Sequence, residues 1–224
     1  MEFKVYGHGG VPVLALPARG GRFYDWENNG MPEAAARLLH EGKMQLFCAD
    51  SIDAESLLAG HETPRRRAEM QEKYFVYLTA ELAPRIAALN APEAKKPPLI
   101  WCAGVDTGAY QAVQCRLRRP GVFAGAVGLS GLYDMSRFLG GCEDDLVLRS
   151  SPLAALRKNG ICNKNLLAKA EENTLLLCVG QGGYEGDALA DTQALADTLK
   201  ETGLPCHLEV WGGDVSHDWY WWGK

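Results

Sequence analysis

The strongest candidate for a reactive side chain lies in a glycine-rich turn between an apolar run and a segment of helical character. The apolar run covers residues 99–103, the turn reads Gly104-Val105-Asp106-Thr107-Gly108, and the helical segment covers residues 107–118. A sharp strand-to-helix turn of this kind, a nucleophile elbow, lifts its central side chain above the end of the strand. The central residue is Asp106, so the predicted reacting group is a carboxylate.

A second candidate group, His217, follows the last predicted strand, residues 207–211, by a short glycine-rich loop. A general base must reach the proton that it removes, and a loop at a strand end gives an imidazole that reach. The alternative is a structural histidine packed among the neighbouring tryptophans. We predict the base, because an elbow residue, an acid and a histidine then follow one another in the chain order of enzymes with such an elbow.

Two carboxylates, Glu185 and Asp187, follow the strand that precedes them and are candidates for the acid. An acid at this point holds the histidine in one tautomer and stabilises the imidazolium. We favour Glu185, because it is nearer the strand end. Asp187 is the alternative acid, and its other interpretation is the cap of the helix that follows. Asp214 and Asp218, which flank His217, leave two further alternatives open.

Backbone N–H groups for an oxyanion hole come from the residue after the nucleophile and from the loop after an early strand. Thr107 is the residue after Asp106, and the early loop covers residues 18–22 with Gly20 and Gly21 inside it. Glycine allows a backbone to approach closely, which is why both glycines are candidates. An ordinary turn is the alternative interpretation of this loop.

Predicted strands alternate with predicted helices along most of the chain. The strands are expected at 2–6, 13–16, 44–49, 99–103, 123–129, 174–179 and 207–211, and the helices at 32–41, 65–89, 107–118 and 188–201. Such alternation predicts an α/β fold with a mostly parallel central sheet and helices on both faces. Sites in such sheets lie beyond the carboxyl ends of the strands, where the candidate groups come together.

The chain is expected to form a single domain over residues 1–224, with residues 135–173 supplying a short lid or cover segment inside it. Pro84 falls inside the long predicted helix, so we expect a break or kink near it. No internal repeat or linker divides the sequence.

Charge and composition limit the classes of partner. The net charge is -5, which argues against nucleic acid or an anionic membrane as the main partner. The N-terminus lacks the basic and apolar regions of a signal peptide, and no apolar run is long enough to span a bilayer. The seven cysteines contain no CxxC pair and no clustered metal ligands. We therefore expect reduced thiols, a cytoplasmic location and no metal, and we leave a homo-oligomer open.

Several segments together resemble a known family. They cover residues 20–28, 47–56, 104–110, 129–134, 180–185 and 211–222, and the last includes a His-Asp-Trp-x-x-Trp ending that is fairly specific. The sequence resembles the small bacterial esterases of the α/β-hydrolase superfamily, in the "putative esterase" branch with the esterase D-like and polyhydroxyalkanoate depolymerase-like proteins. The resemblance implies a single-domain hydrolase with no cofactor, which uses a Ser–His–acid triad on a small-molecule ester or acyl substrate.

The chain departs from this family at the nucleophile. The family pattern is Gly-x-Ser-Met-Gly, whereas this chain has Asp106 at the centre, and only His217 and Glu185 carry over from the triad. A carboxylate that attacks an ester forms a mixed anhydride, which is less stable than an acyl-serine, and it offers the histidine no proton to remove. Serine-type ester hydrolysis is therefore expected to be weak, redirected or lost. The only neighbouring hydroxyl, on Thr107, lies one position too late to replace the serine.

Two other hypotheses give Asp106 a different role. A carboxylate is a competent nucleophile at alkyl carbon, as in the haloalkane dehalogenases and epoxide hydrolases of the same superfamily. Alternatively, an ion pair between Asp106 and His217 closes the site, and the fold serves as a non-catalytic binding or scaffold protein. Aspartate tolerates the positive φ of an elbow better than most residues, and the helix N-terminus stabilises its charge.

Overall fold

The computed structural model describes residues 1–140, 144–159 and 175–224, and it places seven strands in one sheet. The strands are β1 (Phe3–Tyr6), β2 (Val11–Leu16), β3 (Met44–Ala49), β4 (Ile100–Val105), β5 (Phe123–Leu129), β6 (Leu175–Val179) and β7 (His207–Val210). Their order across the sheet is β1-β3-β2-β4-β5-β6-β7. Strand β1 pairs antiparallel with β3, and every other pair is parallel. The predicted α/β class and mostly parallel sheet are confirmed.

Helices of very different lengths connect the strands. They are α1 (Asp25–Asn28), α2 (Met31–Ala34), α3 (Ala36–His40), α4 (Pro64–Val76), α5 (Ala83–Asn90), α6 (Thr107–Arg118), α7 (Ser136–Leu139), α8 (Asp145–Ser150), α9 (Pro152–Asn159), α10 (Gly186–Glu201) and α11 (Trp219–Trp222). A 3-10 turn covers Asp53–Glu55. The connection between β3 and β4 therefore carries α4 and α5, and the elbow residue lies between β4 and α6.

Three predicted helix boundaries are corrected. The helix predicted at 65–89 is divided by a π-helical segment, Tyr77–Leu82, and Pro84 lies in the first turn of α5, where its missing N–H is tolerated. The helix predicted at 32–41 is two short helices, α2 and α3, and it ends before Gly42, whose φ is 65°. Helix α10 begins two residues earlier than predicted, so Asp187 lies inside its first turn instead of capping it.

Side chains alternate between the two faces of the sheet. Leu14 and Phe47 belong to the main core, which packs under α4, α5, α6 and α10, whereas Ala15 belongs to a second cluster. The second cluster is closed by side chains from two places in the chain: Trp26, Met31, Leu39, Trp219 and Trp222. Helices therefore lie on both faces of the sheet, and on the second face the short helices cover the part that carries the second cluster.

The segment predicted as a lid, residues 135–173, is only partly described, because residues 141–143 and 160–173 lie outside the described residues. Its described helices, α7, α8 and α9, pack beside α4, α6 and α10. Phe138 of α7 reaches the carboxyl ends of the strands, where the site lies. The role of this segment as a cover stays a prediction.

Two expectations about composition can be compared with the described part of the chain. Cys48, Cys102 and Cys115 are buried free thiols, and Cys178 and Cys206 are free and partly buried. None of the described helices is long and apolar enough to span a membrane.

Candidate active site

Asp106 lies in the sharp turn between β4 and α6. Its φ of 52° and ψ of −119° are strained for a residue with a side chain. A Cβ atom added to Gly104 would lie 2.1 Å from the carbonyl oxygen of Gly108, and one added to Gly108 would lie 2.4 Å from that of Pro17. The two glycines are therefore required by close approach, and the turn aims the Asp106 side chain at the carboxyl ends of the strands.

Both carboxylate oxygens of Asp106 are bound by one residue of the loop after β2. The backbone N–H of Arg19 donates to Asp106 Oδ2 over 3.2 Å, and the Arg19 guanidinium donates to Oδ1 over 3.2 Å. Asp106 is only 5% exposed, whereas the Arg19 side chain is 42% exposed. The guanidinium lies 5.1 Å from the centre of the Phe138 ring, close enough for a cation–π contact.

His217 lies between two carboxylates. Its Nδ1 is 3.2 Å from Oε2 of Glu185, and its Nε2 is 3.8 Å from Oδ1 of Asp106. The first distance is that of a hydrogen bond and the second exceeds one. The backbone N–H of His217 donates to the carbonyl oxygen of Gly183 over 2.9 Å, which ties the histidine loop to the loop that carries Glu185.

Glu185 is buried, and neutral groups hold its other oxygen. The Ser130 hydroxyl donates to Glu185 Oε1 over 2.6 Å, and the Gly180 N–H donates to the same oxygen over 3.3 Å. The indole N–H of Trp222 donates to the Ser130 hydroxyl over 2.9 Å, and the Trp222 ring meets His217 edge-on with centroids 5.0 Å apart. Ser130 is not among the residues predicted for the site, although it directly follows β5 at the carboxyl end of the strand.

The other candidate acids have different partners. Asp187 is 71% exposed and pairs with Arg137 over 3.0 Å. Asp218 caps α11, because its carboxylate accepts the N–H groups of Tyr220 and Trp221. No oxygen of Asp214 is among the described contacts of the His217 ring. Glu185 is therefore the carboxylate that the fold brings to Nδ1.

The predicted oxyanion donors are partly reassigned. The Gly20 N–H donates to Asp53 Oδ2 over 3.2 Å, and the Gly21 N–H donates to the Ala18 carbonyl over 2.8 Å, so neither is directed at Asp106. The N–H of this loop that faces Asp106 belongs to Arg19. Gly20 and Gly21 turn the chain and do not supply the donor.

Thr107 opens α6, and its hydroxyl points away from the elbow. This hydroxyl is fully buried and donates to Asp53 Oδ2 over 2.9 Å. Its described partner is therefore Asp53, and a contact with His217 is not among the described contacts of this hydroxyl. The Thr107 N–H belongs to the first turn of α6, where N–H groups have no intrahelical partner, so it stays a candidate oxyanion donor.

Asp53 is a buried carboxylate directly behind the elbow, and sequence reasoning did not select it. It is 1% exposed, and Gln71 and Gln111 direct their side-chain amides at its Oδ1 over 3.5 and 3.4 Å. Burial raises the pKa of Asp53, and the charge of Asp106 raises it further, while the hydrogen bonds from Gly20 and Thr107 lower it. In the part of the chain that the structure describes, no cluster of His, Cys, Asp or Glu could hold a metal.

A parallel sheet with an elbow after its central strand, a late histidine and a strand-end acid defines the α/β-hydrolase class of folds. The family model described as "Putative esterase" matches residues 13–224, and the chain belongs to this family. No protein with curated annotation matches the sequence.

Solved structures share the fold at low sequence identity. A ferulic acid esterase has a TM-score of 0.66 at 15% identity, over 99% of this chain and 87% of that one. The S-formylglutathione hydrolase from Agrobacterium tumefaciens has a TM-score of 0.68 at 14% identity, over 97% and 83%. MPT51 (FbpC1) from Mycobacterium tuberculosis has a TM-score of 0.67 at 18% identity, over 99% and 87%. These similarities establish the fold.

Proposed function

We propose that Asp106 occupies the nucleophile position of an esterase-type site, and that serine-type ester hydrolysis is lost there while the rest of the site is retained. The observation that carries this proposal is the position of Asp106 at the strained elbow, with His217 beside it and Glu185 on the far ring nitrogen. The expected ligand is a small-molecule ester or acyl compound. A role for nucleic acid or membrane is not expected.

Two physical effects support the loss of acyl transfer. Asp106 offers His217 no hydroxyl proton, so the base has nothing to remove before attack. Both Asp106 oxygens are also engaged by Arg19, which lowers their nucleophilicity and fills the position where a substrate oxyanion would accept the Arg19 N–H. The carboxylate thus occupies space and hydrogen bonds that an ester carbonyl would need.

The substitution Asp106→Ser tests the proposal with short p-nitrophenyl esters. The wild type should show negligible turnover, equal to that of His217→Ala. Because removing a triad residue costs up to about 10⁶ in kcat, the serine variant should gain at least about 10³. Asp106→Asn is the matched control, since it removes the charge without supplying a nucleophile, and it should stay inactive.

Two results would contradict the proposal. One is wild-type turnover that disappears in His217→Ala, which would make the natural site active on esters. The other is Asp106→Ser without turnover although it folds, which would mean that the acid, base and donors are not a working set. That result would favour the hypothesis that the fold serves as a non-catalytic binding or scaffold protein.

A second candidate function has its own supporting observation: Asp106 Oδ2 accepts the Arg19 N–H while Oδ1 lies on the side of His217. Attack of Oδ1 on an alkyl carbon would form a carbon–oxygen bond and expel a halide or open an epoxide. Water, which gives a proton to His217, would then add to the Asp106 carboxyl carbon, with the charge collecting on Oδ2 near the Arg19 N–H. Collapse of this intermediate would break the bond between the carboxyl carbon and Oδ1, release the alcohol with the proton from His217, and restore the Asp106 carboxylate. The guanidinium would have to leave Oδ1 first.

Mass spectrometry separates this candidate from the first. Incubation of His217→Ala with an alkyl halide or epoxide should leave a covalent adduct on Asp106, because the variant cannot hydrolyse the alkyl ester. Asp106→Asn is the control and should stay unmodified. No adduct on Asp106 would exclude alkyl chemistry for the probes used.

A further inference from the structure

The two oxygens of the buried Asp53 carboxylate serve different parts of the molecule. Oδ2 accepts the Gly20 N–H over 3.2 Å and the Thr107 hydroxyl over 2.9 Å. Oδ1 faces the amides of Gln71 and Gln111. One oxygen therefore contacts the loop after β2 and the start of α6, and the other contacts the helices behind them.

The contact with Gly20 fixes the direction of its neighbour. Consecutive N–H groups point to two different carboxylates, because Arg19 donates to Asp106 and Gly20 donates to Asp53. The φ of Gly20 is 68°, which makes this divergence accessible to the backbone. The contact between Asp53 and the Gly20 N–H is the one next in sequence to the Arg19 N–H, and the Ser51 hydroxyl holds the following residue by donating to the Gly21 carbonyl oxygen over 2.8 Å.

The contact with Thr107 fixes the other side of the site. The Thr107 hydroxyl is anchored on the same oxygen of Asp53, so the backbone of Thr107, including its N–H at the start of α6, has a defined place relative to the loop. Arg19 and Thr107 come from elements that do not adjoin in sequence. A single acceptor atom connects them.

We propose that Asp53 is a positioning residue, which sets the separation between the two backbone oxyanion donors, the N–H groups of Arg19 and Thr107. The inference rests on the proposed function, since it assigns those donors to an esterase-type site. Asp53 acts through its hydrogen-bonding partners and does not touch the reacting atoms.

The required property of Asp53 is acceptor geometry rather than charge. Oδ2 only accepts in its two contacts, and an amide oxygen accepts from an N–H or an O–H as a carboxylate oxygen does. Oε1 of Gln111 is buried and has no partner among the described residues. An asparagine at position 53 could accept from Gly20 and Thr107 with its oxygen, and donate to Gln111 Oε1 after that amide turns over. Leucine has a similar shape and offers no acceptor.

The test compares Asp53→Asn and Asp53→Leu in the Asp106→Ser background with p-nitrophenyl esters. Loss of an aligned oxyanion donor costs about 10²–10³ in kcat, so Asp53→Leu should lower kcat by about 100-fold and leave KM within about threefold. Asp53→Asn should keep kcat within about threefold of the background. The matched control Gln71→Leu removes a contact of Oδ1 and the 2.7 Å hydrogen bond to the Ser56 hydroxyl but leaves both contacts of Oδ2, and it should lower thermal stability without lowering kcat.

Amide hydrogen exchange, followed by NMR with Asp106 unchanged, gives a readout that needs no activity. The Gly20 N–H should lose protection in Asp53→Leu and keep it in Asp53→Asn. If Asp53→Leu does not fold, Thr107→Val removes one arm of the same contact and should lower kcat by about tenfold in the serine background.

The proposal is overturned if Asp53→Leu retains both kcat and Gly20 protection, or if Asp53→Asn loses as much as Asp53→Leu. Failure of Asp106→Ser to gain activity would count against the proposed function alone, because the exchange of the Gly20 N–H would still decide the role of Asp53.

Discussion

The two carboxylates that flank His217 are held in opposite ways. Glu185 is 1% exposed and receives neutral donors, the Ser130 hydroxyl and the Gly180 N–H, and among the described residues it forms no ion pair with Lys or Arg. Asp106 is 5% exposed and is paired with the guanidinium of Arg19. Among the described residues, His217 is the only basic side chain paired with Glu185, whereas Asp106 is also paired with Arg19.

This difference distinguishes the two sides of the candidate site. A buried carboxylate without a cation nearby directs its charge to the one group that can share it, which is the Nδ1 proton of His217. Asp106 is farther from the ring, at 3.8 Å, and its charge is shared with Arg19. Glu185 and His217 are joined by a hydrogen bond, whereas Asp106 at the elbow forms an ion pair with Arg19.

The largest expected effect on kcat tests the role of Glu185. In the Asp106→Ser background, Glu185→Gln should lower kcat by about 10⁴, because an amide can donate to Nδ1 and hold the wrong tautomer of His217. Asp187→Asn is the control, since Asp187 is exposed and pairs with Arg137, and it should leave kcat unchanged. Steady-state kinetics on p-nitrophenyl esters measures both, and the reverse ranking would make Asp187 the acid.

An intermediate effect sharpens the Asp106 side. A double-mutant cycle of Arg19→Ala with Asp106→Asn, followed by urea unfolding, should give a coupling free energy of about 1 kcal/mol. The value is modest because Arg19 is substantially exposed. The exposed pair Arg37 and Glu41 is the comparison cycle, and a smaller coupling is expected there because solvent screens both side chains. Equal coupling in the two cycles would mean that Arg19 does not neutralise the elbow.

The smallest effect concerns the third carboxylate, Asp53, whose pKa is raised by burial. The folded state then holds the proton of the Asp53 carboxyl group more tightly than the unfolded chain, in which an aspartate has a pKa of about 3.9. This contribution to the free energy of unfolding is complete below that pH and is lost as the pH rises through the folded pKa. The Asp53→Asn variant does not ionise at this position and does not lose this free energy of unfolding. Its stability relative to the wild type should therefore increase with pH.

Urea midpoints in acid and at neutral pH measure this slope. Glu41→Gln provides the opposite sign, because Lys43, followed by Arg37, lowers the pKa of Glu41, and the wild type therefore loses that stability as the pH falls. Its stability relative to the wild type should decrease with pH. A pH-independent difference for Asp53→Asn would contradict the raised pKa.

The fold was predictable from the sequence wherever the pattern was local. Apolar runs of strand length gave β3 and β5 at their observed bounds, and the glycine turn gave α6. Other features were only partly predictable. The apolar periodicity over 65–89 predicted one helix and Pro84 predicted an interruption near it, but neither signal specifies that the interruption is π-helical.

The candidate site was predictable for residues whose type declares their chemistry at a strand end, such as His217 and Glu185. The contact of Arg19 with Asp106 was not predicted, because its N–H belongs to the backbone and no side-chain pattern indicates where an N–H points. Asp53 escaped because it lies 54 positions before Thr107, and only the folded chain brings them together. Ser130 looked like an ordinary end of a strand.

The intrinsic fluorescence of Trp222 can report on the site. Its indole ring lies edge-on to the His217 imidazole, with centroids 5.0 Å apart, and its N–H is fixed on Ser130. Indole emission is sensitive to a proton or a ligand arriving on an imidazole at such a distance. Comparison of the emission of the wild type with that of Trp222→Phe isolates this one fluorophore from the other tryptophans, so events at His217 can be followed without a substrate that releases colour.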